Sequence, residues 1–179
     1  MTRSSAQSNE PFAAPAVELV RREHDLLVNS RHALGAYARC TGEFLERWAR
    51  DAPERPFLLE RTGAEWRGLD YGEALRRVRR VGAWLLGREL SLERPVAILS
   101  ENSVEHALLS LACLHVGVPV APISPAYSLV SRDFGKLKSI LRTLRPGLVY
   151  VSDLMRFAPA LAAVRDAHHG QVVSSDALG

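Results

Sequence analysis

Polar and apolar positions alternate in two different rhythms along the chain, and the change of rhythm falls near Pro95. Before it, short alternating stretches and amphipathic repeats take turns. VELVRREHDLLVNS (Val17 to Ser30) reads as two short strands turning near His24-Asp25, with a helix as the alternative. After Thr41, residues Phe44, Leu45 and Trp48 share one helical face until Pro53 and Pro56 stop the run. FLLER and AEWRGLD flank Thr62-Gly63 as a hairpin. Asp70, with Glu73 three residues on, resembles a capping box for a helix carrying Ala74, Leu75, Val78, Val81, Trp84 and Leu85 on one side. Arg76, Arg77, Arg79 and Arg80 fall on the opposite side and read as a solvated face rather than a phosphate strip.

From Pro95 the apolar runs become short and nearly continuous. PVAILS, VPVAPI, LVYVSD and QVVSS are buried strands. Between them lie helices over Val104–Val116, from Ser131 past Leu144, and over Phe157–Ala167. Ser103 caps the first of these and Gly117 ends it. Phe134, Leu137, Ile140, Leu141 and Leu144 form the apolar side of the second, which stops at Arg145-Pro146-Gly147. The expected fold is α/β, with successive right-handed βαβ units around a parallel sheet and short strands or hairpins ahead of it. Few helices are expected on the sheet's second face. The helix Val104–Val116 is apolar nearly all round, so its outer side is expected to stay uncovered and to promote self-association.

Composition narrows the classes. A chain of 179 residues is one ordinary domain, and 47% hydrophobic with 24% charged residues is typical of a globular protein. A net charge of +3 is too mild to indicate nucleic acid. The first 16 residues, rich in polar positions and lacking an apolar signal core, are expected to be a disordered tail, with one domain over 17–179. Cys40 and Cys113 show no metal-ligand spacing and imply no disulfide framework, which fits the cytoplasm. No membrane span is expected, since the most apolar run, Ala107–Pro122, is interrupted and too short.

Ser100, Glu101 and His106 are the candidate catalytic triplet, because a serine needs a base within reach and a third group to orient it. No Gly-x-Ser-x-Gly elbow surrounds Ser100, and Glu101, Asn102, Ser103 and Glu105 are what a helix start requires. The helix-start reading is preferred. No Gly-rich phosphate loop is present, the turn SENS after PVAILS carries an acid, and His168-His169 lacks a third metal ligand. No catalytic, cofactor-binding or metal residue is assigned.

RPVAILSENSVEHALLSLACLHVGVPVAPISPAYSL (Arg94 to Leu129) nevertheless resembles the N-terminal subdomain of adenylate-forming, AMP-dependent acyl-CoA synthetases and ligases. Asn102, Gly117, Pro122, Pro125 and Tyr127 fall at matching places, as do Leu69, Tyr71 and Glu73 in WRGLDYGEALRRVRRVGAWLL. HALGAYARC, EFLERWARDAPERPFL and SPAYSLVSRDFGKLKSILRTLRPGLVYVSD are most similar to feruloyl-CoA synthases. The resemblance covers roughly Glu18 to Asp153. It implies a ligase that activates a phenylpropenoic acid such as ferulate with ATP and Mg²⁺, then transfers the acyl group to CoA. It also implies that the family's phosphate loop, adenine and ribose contacts and catalytic lysine lie downstream. The chain is therefore expected to be an incomplete N-terminal portion, inactive alone, with no nucleic acid or membrane partner. Two alternatives stand beside this: a non-catalytic α/β module binding a partner through its sheet edge, and a fatty-acyl or aryl-CoA ligase of the same superfamily.

Overall fold

The computed structural model describes residues 14–178; the expected disordered tail lies outside the described residues up to position 13. The chain divides into two compact units, with the boundary between Tyr37 and Ala38.

The first unit contains one antiparallel hairpin, β1 (Val17–Arg21) with β2 (Leu26–Ser30). Leu19 pairs with Val28 and Arg21 with Leu26, so the apolar residues Val17, Leu19, Leu26 and Val28 share one face. That period-two match is what selects strands over a helix. The turn closes with Arg22 N–H on the Asp25 carbonyl at 2.8 Å.

The second unit begins with α1 (Gly42–Asp51) and the hairpin β3 (Pro56–Thr62) and β4 (Glu65–Asp70), whose turn needs Gly63 at φ +63°. α2 (Tyr71–Leu86) follows, capped by Asp70, whose side chain accepts the Glu73 N–H at 2.7 Å. Only half of the capping box is made. The Glu73 carboxylate turns instead to Arg76 and Arg77, one turn along the same helix, at 2.6 Å each.

Four short strands, β5 (Val96–Leu99), β6 (Val120–Ile123), β7 (Leu148–Val151) and β8 (Gln171–Ser174), form one parallel sheet in the order β6-β5-β7-β8. α3 (Val104–Val116) links β5 to β6. The single turn α4 (Ala126–Leu129) and α5 (Gly135–Leu144) link β6 to β7, and α6 (Leu154–Ala163) links β7 to β8. The chain steps outward from β5 to β6, then back across β5 to β7. Right-handed crossovers taken in opposite directions place their helices on opposite faces.

The sheet is accordingly covered on both sides, which corrects the expectation of a poorly covered second face. Val96, Ile98, Leu148, Tyr150 and Val173 pack with α2 and α3. Ala97, Leu99, Val149 and Val151 point the other way, onto Leu137 and Leu141 of α5, Phe157 and Ala160 of α6, and Val164 just after it. Burial on both faces is why these strands read as continuous apolar runs.

α3 is also better covered than expected. Val104, Leu108, Leu109, Ala112 and Cys113 are buried, and among its large apolar residues only Leu114 is exposed. α2 supplies the missing cover. It approaches closely because Gly82 has no side chain: a Cβ there would stand 2.8 Å from Val116 Cγ1. The helix ends as anticipated, with Ser103 Oγ accepting the His106 N–H at 3.0 Å and Gly117 in the left-handed region.

Three boundaries differ from the sequence reading. α4 is a turn that no periodicity announces. α5 starts at Gly135 rather than Ser131, because Ser131 Oγ accepts the Phe134 N–H and Asp133 Oδ1 accepts the Gly135 N–H, with Phe134 left-handed at φ 54°. Those contacts spend four residues on a capping loop. α6 runs from Leu154, not Phe157, and ends at Ala163. Asp153 explains the early start by accepting the Met155 and Arg156 N–H groups at 2.8 and 3.0 Å, which carries the helix past Pro159.

Candidate functional site

In an open parallel sheet the ligand crevice lies beyond the carboxyl ends of the strands, where the direction of winding reverses. Here that point is between β5 and β7. The turns that meet there are Ser100–Ser103 after β5 and Ser152-Asp153 after β7. Ser124-Pro125 after β6 and Ser175 after β8 flank them.

The structure brings the candidate triplet close together but not into a relay. Ser100 is buried, and its hydroxyl donates to the Glu101 carbonyl at 2.6 Å. His106 Nδ1 contacts the same carbonyl at 3.2 Å. The Glu101 carboxylate crosses the crevice to pair with Arg156 of α6. The serine proton is thus committed to a main-chain oxygen, and the acid orients an arginine rather than the imidazole. These contacts close the start of α3 and bridge β5 to α6.

Both helix N-termini at the crevice already hold a carboxylate. α3 receives Glu60 from the β3–β4 hairpin, whose Oε2 accepts the Val104 N–H at 2.9 Å. Arg67 locks this contact by pairing with Glu60 at 2.9 Å and with Glu105 at 3.0 Å. α6 is capped by its own Asp153. The partial positive ends that would attract a phosphate are therefore neutralised from within. The residues at the crevice do not fit the phosphates of ATP. Among the described residues no group of three or more His, Cys, Asp or Glu side chains could hold a metal ion. His168 and His169 lie at the other end of the sheet.

The Val104 N–H and Arg67 together hold the Glu60 carboxyl below its ordinary range. A depressed folded-state value means that the stabilisation is complete above the usual glutamate pKa and is lost as pH falls through the lower folded value. Glu60→Gln is therefore expected to cost about 1–2 kcal/mol at neutral pH. The difference in Tm from wild type should shrink as pH falls below the usual glutamate range, where wild type loses the charge as well. Thermal melts of both proteins from pH 7 to pH 3 check this; a gap independent of pH contradicts it.

A second anchor ties β8 to the crevice. Ser175 Oγ donates to the Ser152 carbonyl at 3.2 Å, and Tyr150 donates to Ser175 Oγ at 2.9 Å. Burial pushes the Tyr150 hydroxyl up, so it stays a neutral donor. A concavity of about 320 Å³ opens beside it, lined by Ser152, Asp153, Leu154, Met155, Ser174 and Ser175.

Residues 45–177 match the family of AMP-binding enzymes. The chain belongs to that family. Among solved structures, IdnL1 is 26% identical over 65% of this chain and 23% of its own, with a TM-score of 0.53. A fatty acyl-adenylate ligase from L. pneumophila, solved with acyl adenylate and pyrophosphate, is 14% identical over 79% of this chain and 24% of its own, with a TM-score of 0.66. A proposed long-chain-fatty-acid CoA ligase from Rhodopseudomonas palustris CGA009 is 20% identical over 75% and 32%, with a TM-score of 0.61. No curated protein matches. The chain thus spans about a quarter to a third of these solved chains. Its α/β fold, with the parallel four-stranded sheet, is that of the N-terminal subdomain of adenylate-forming enzymes.

The residues that carry the sequence resemblance hold this AMP-binding fold together. Gly117 ends α3 at φ 75°. Pro122 sits on the edge strand β6, where its missing N–H costs least, and Pro125 opens α4. Tyr127 packs against the core between the sheet and α5 and α6. Tyr71 stacks on Phe57 and Trp48, with ring centroids 4.4 and 5.9 Å away, and so joins the hairpin to α1 and α2. Sequence reasoning missed Glu60, Arg67 and Arg156. Each acts on a residue far along the chain, and no local spacing signals such a pair.

Proposed function

We propose that residues 17–179 form the N-terminal portion of the adenylation domain of an acid:CoA ligase like feruloyl-CoA synthase. In this reading a phenylpropenoic acid reacts with ATP, assisted by Mg²⁺, to give an acyl-adenylate and pyrophosphate. CoA then displaces AMP to form the thioester. The reaction belongs in the cytoplasm, and the partners are small molecules rather than nucleic acid or membrane. Among the described residues no helix is long and apolar enough to cross a membrane.

One observation carries the proposal: the family match runs over residues 45–177 while the sheet's crevice is closed by the protein's own carboxylates. Such a segment supplies scaffold, and the groups that touch ATP come from residues outside it. The feruloyl assignment rests on the likeness of HALGAYARC, EFLERWARDAPERPFL and SPAYSLVSRDFGKLKSILRTLRPGLVYVSD. A fatty-acyl substrate is the second reading, favoured by fatty-acid ligases among the structural neighbours.

The test is a substrate comparison on the protein encoded by the whole reading frame that contains this segment. Formation of CoA thioester from ferulate, benzoate and palmitate is followed with ATP and Mg²⁺. Preference for ferulate supports the proposal. Preference for palmitate transfers the chain to the second reading, and no thioester from any acid overturns both.

A further inference from the structure

The amino end of the sheet, opposite the crevice, carries a basic concavity of about 440 Å³. Three separate segments converge on it: Glu93 and Arg94 before β5, Arg142, Arg145 and Pro146 at the end of α5, and Asp166 to His169 before β8. Three guanidiniums and two imidazoles thus face two carboxylates. Arg142 is engaged by Asp166 at 3.1 Å, and Arg94 uses its Nε on the Glu89 carbonyl at 2.8 Å, which leaves its two terminal nitrogens. Among the described residues Arg145 has no ion-pair or hydrogen-bonding partner for its guanidinium.

Arg145 is held in the left-handed region, at φ 48° and ψ 52°, where a helix end ordinarily takes glycine. An arginine at a helix C-terminus is often explained by the dipole. That explanation needs neither a strained backbone nor the approach of Arg94 and the two histidines from other segments. Strain kept where a cheaper residue would serve is a mark of a functional position.

We propose that this concavity binds a phosphate-bearing anion, with Arg94 and Arg145 as its principal contacts and Arg142 in reserve behind Asp166. Planar guanidiniums match phosphate oxygens in pairs, and two or more of them around one pocket favour a multiply charged phosphate over a single carboxylate. The site is separate from the crevice and does not depend on the adenylation reading.

Equilibrium dialysis of the 179-residue chain against labelled inorganic pyrophosphate, with a parallel arm using ATP, tests this. Equal binding of the two assigns the phosphates alone as the ligand; tighter ATP binding adds the nucleoside; both support the site. Arg145→Gly is expected to weaken binding about tenfold, with Tm unchanged or higher because glycine suits the left-handed backbone. Asp166→Asn releases Arg142 and is expected to tighten binding severalfold, a gain that a purely structural cluster would not produce. The proposal is overturned if neither anion binds at millimolar concentration, or if both variants bind within twofold of wild type.

Discussion

Mixed with ATP, Mg²⁺ and ferulate, the 179-residue chain is expected to show no ATP–pyrophosphate exchange above buffer. Preorganised donors around the developing charge are usually the largest contribution to catalysis, and losing one of them costs about 3–4 kcal/mol, or two to three orders of magnitude in rate. The place where such donors would stand is taken. The N–H groups at the start of α3 are turned to Glu60 and Ser103, and those of α6 to Asp153. Arg156 at the crevice is paired with Glu101, and Arg67 with Glu60 and Glu105. With these donors committed, more than a single donor's share of the effect is forfeited. Exchange with ferulate or any other carboxylic acid would overturn the view of this segment as scaffold. The Glu101→Gln variant sharpens the experiment: release of Arg156 is not expected to restore exchange, since one freed guanidinium does not make a phosphate cradle.

Replacing Phe157 by alanine is expected to be the most damaging single truncation. Phe157 is fully buried and joins Ala97, Leu99, Val149 and Val151 of the sheet to Leu137 and Leu141 of α5. Removing a ring from such a position costs about 3–5 kcal/mol through lost transfer energy and the cavity left behind. In a chain of this size that lowers Tm by roughly 10 °C. The neighbour two residues earlier is the control. Met155 is 85% exposed, so Met155→Ala should stay within about 0.5 kcal/mol of wild type. Thermal or urea unfolding of the two variants checks the contrast, and similar melting of both would mean that α6 is not anchored as described.

Much of the architecture was legible from local pattern. The strands β5 to β8, the extent of α3 and both hairpins follow from rules that act over a few residues: side-chain period, a capping serine or aspartate, a glycine at positive φ. Ser103 and Gly117 delimit α3 because each satisfies main-chain groups of its own helix end. Boundaries failed where a cap was not local in the expected sense. Ser131 looked like a helix start, yet its hydroxyl and Asp133 are used to hold Phe134 in a left-handed turn. The third helix was expected from Phe157, whereas two hydrogen bonds to Asp153 start it at Leu154, with Pro159 inside it.

The candidate site divides in the same way. That Ser100, Glu101 and His106 mark a helix start rather than a catalytic relay could be argued from the capping residues around them. That Glu101 reaches Arg156, and that Glu60 and Arg67 arrive from a hairpin more than thirty residues earlier, could not. By itself, the order of residues determined the α/β class, the four buried strands and, through Arg94 to Leu129, the likeness to adenylate-forming ligases. Only the tertiary structure decided that the sheet is covered on both faces, that carboxylates close its crevice and that Arg94, Arg145 and the two histidines share a pocket at the opposite end. The reason is physical. Periodicity and caps are set by neighbours within one or two turns of the chain, whereas the crossing directions of the helices and the pairing of distant charges arise only when the strands take their places side by side.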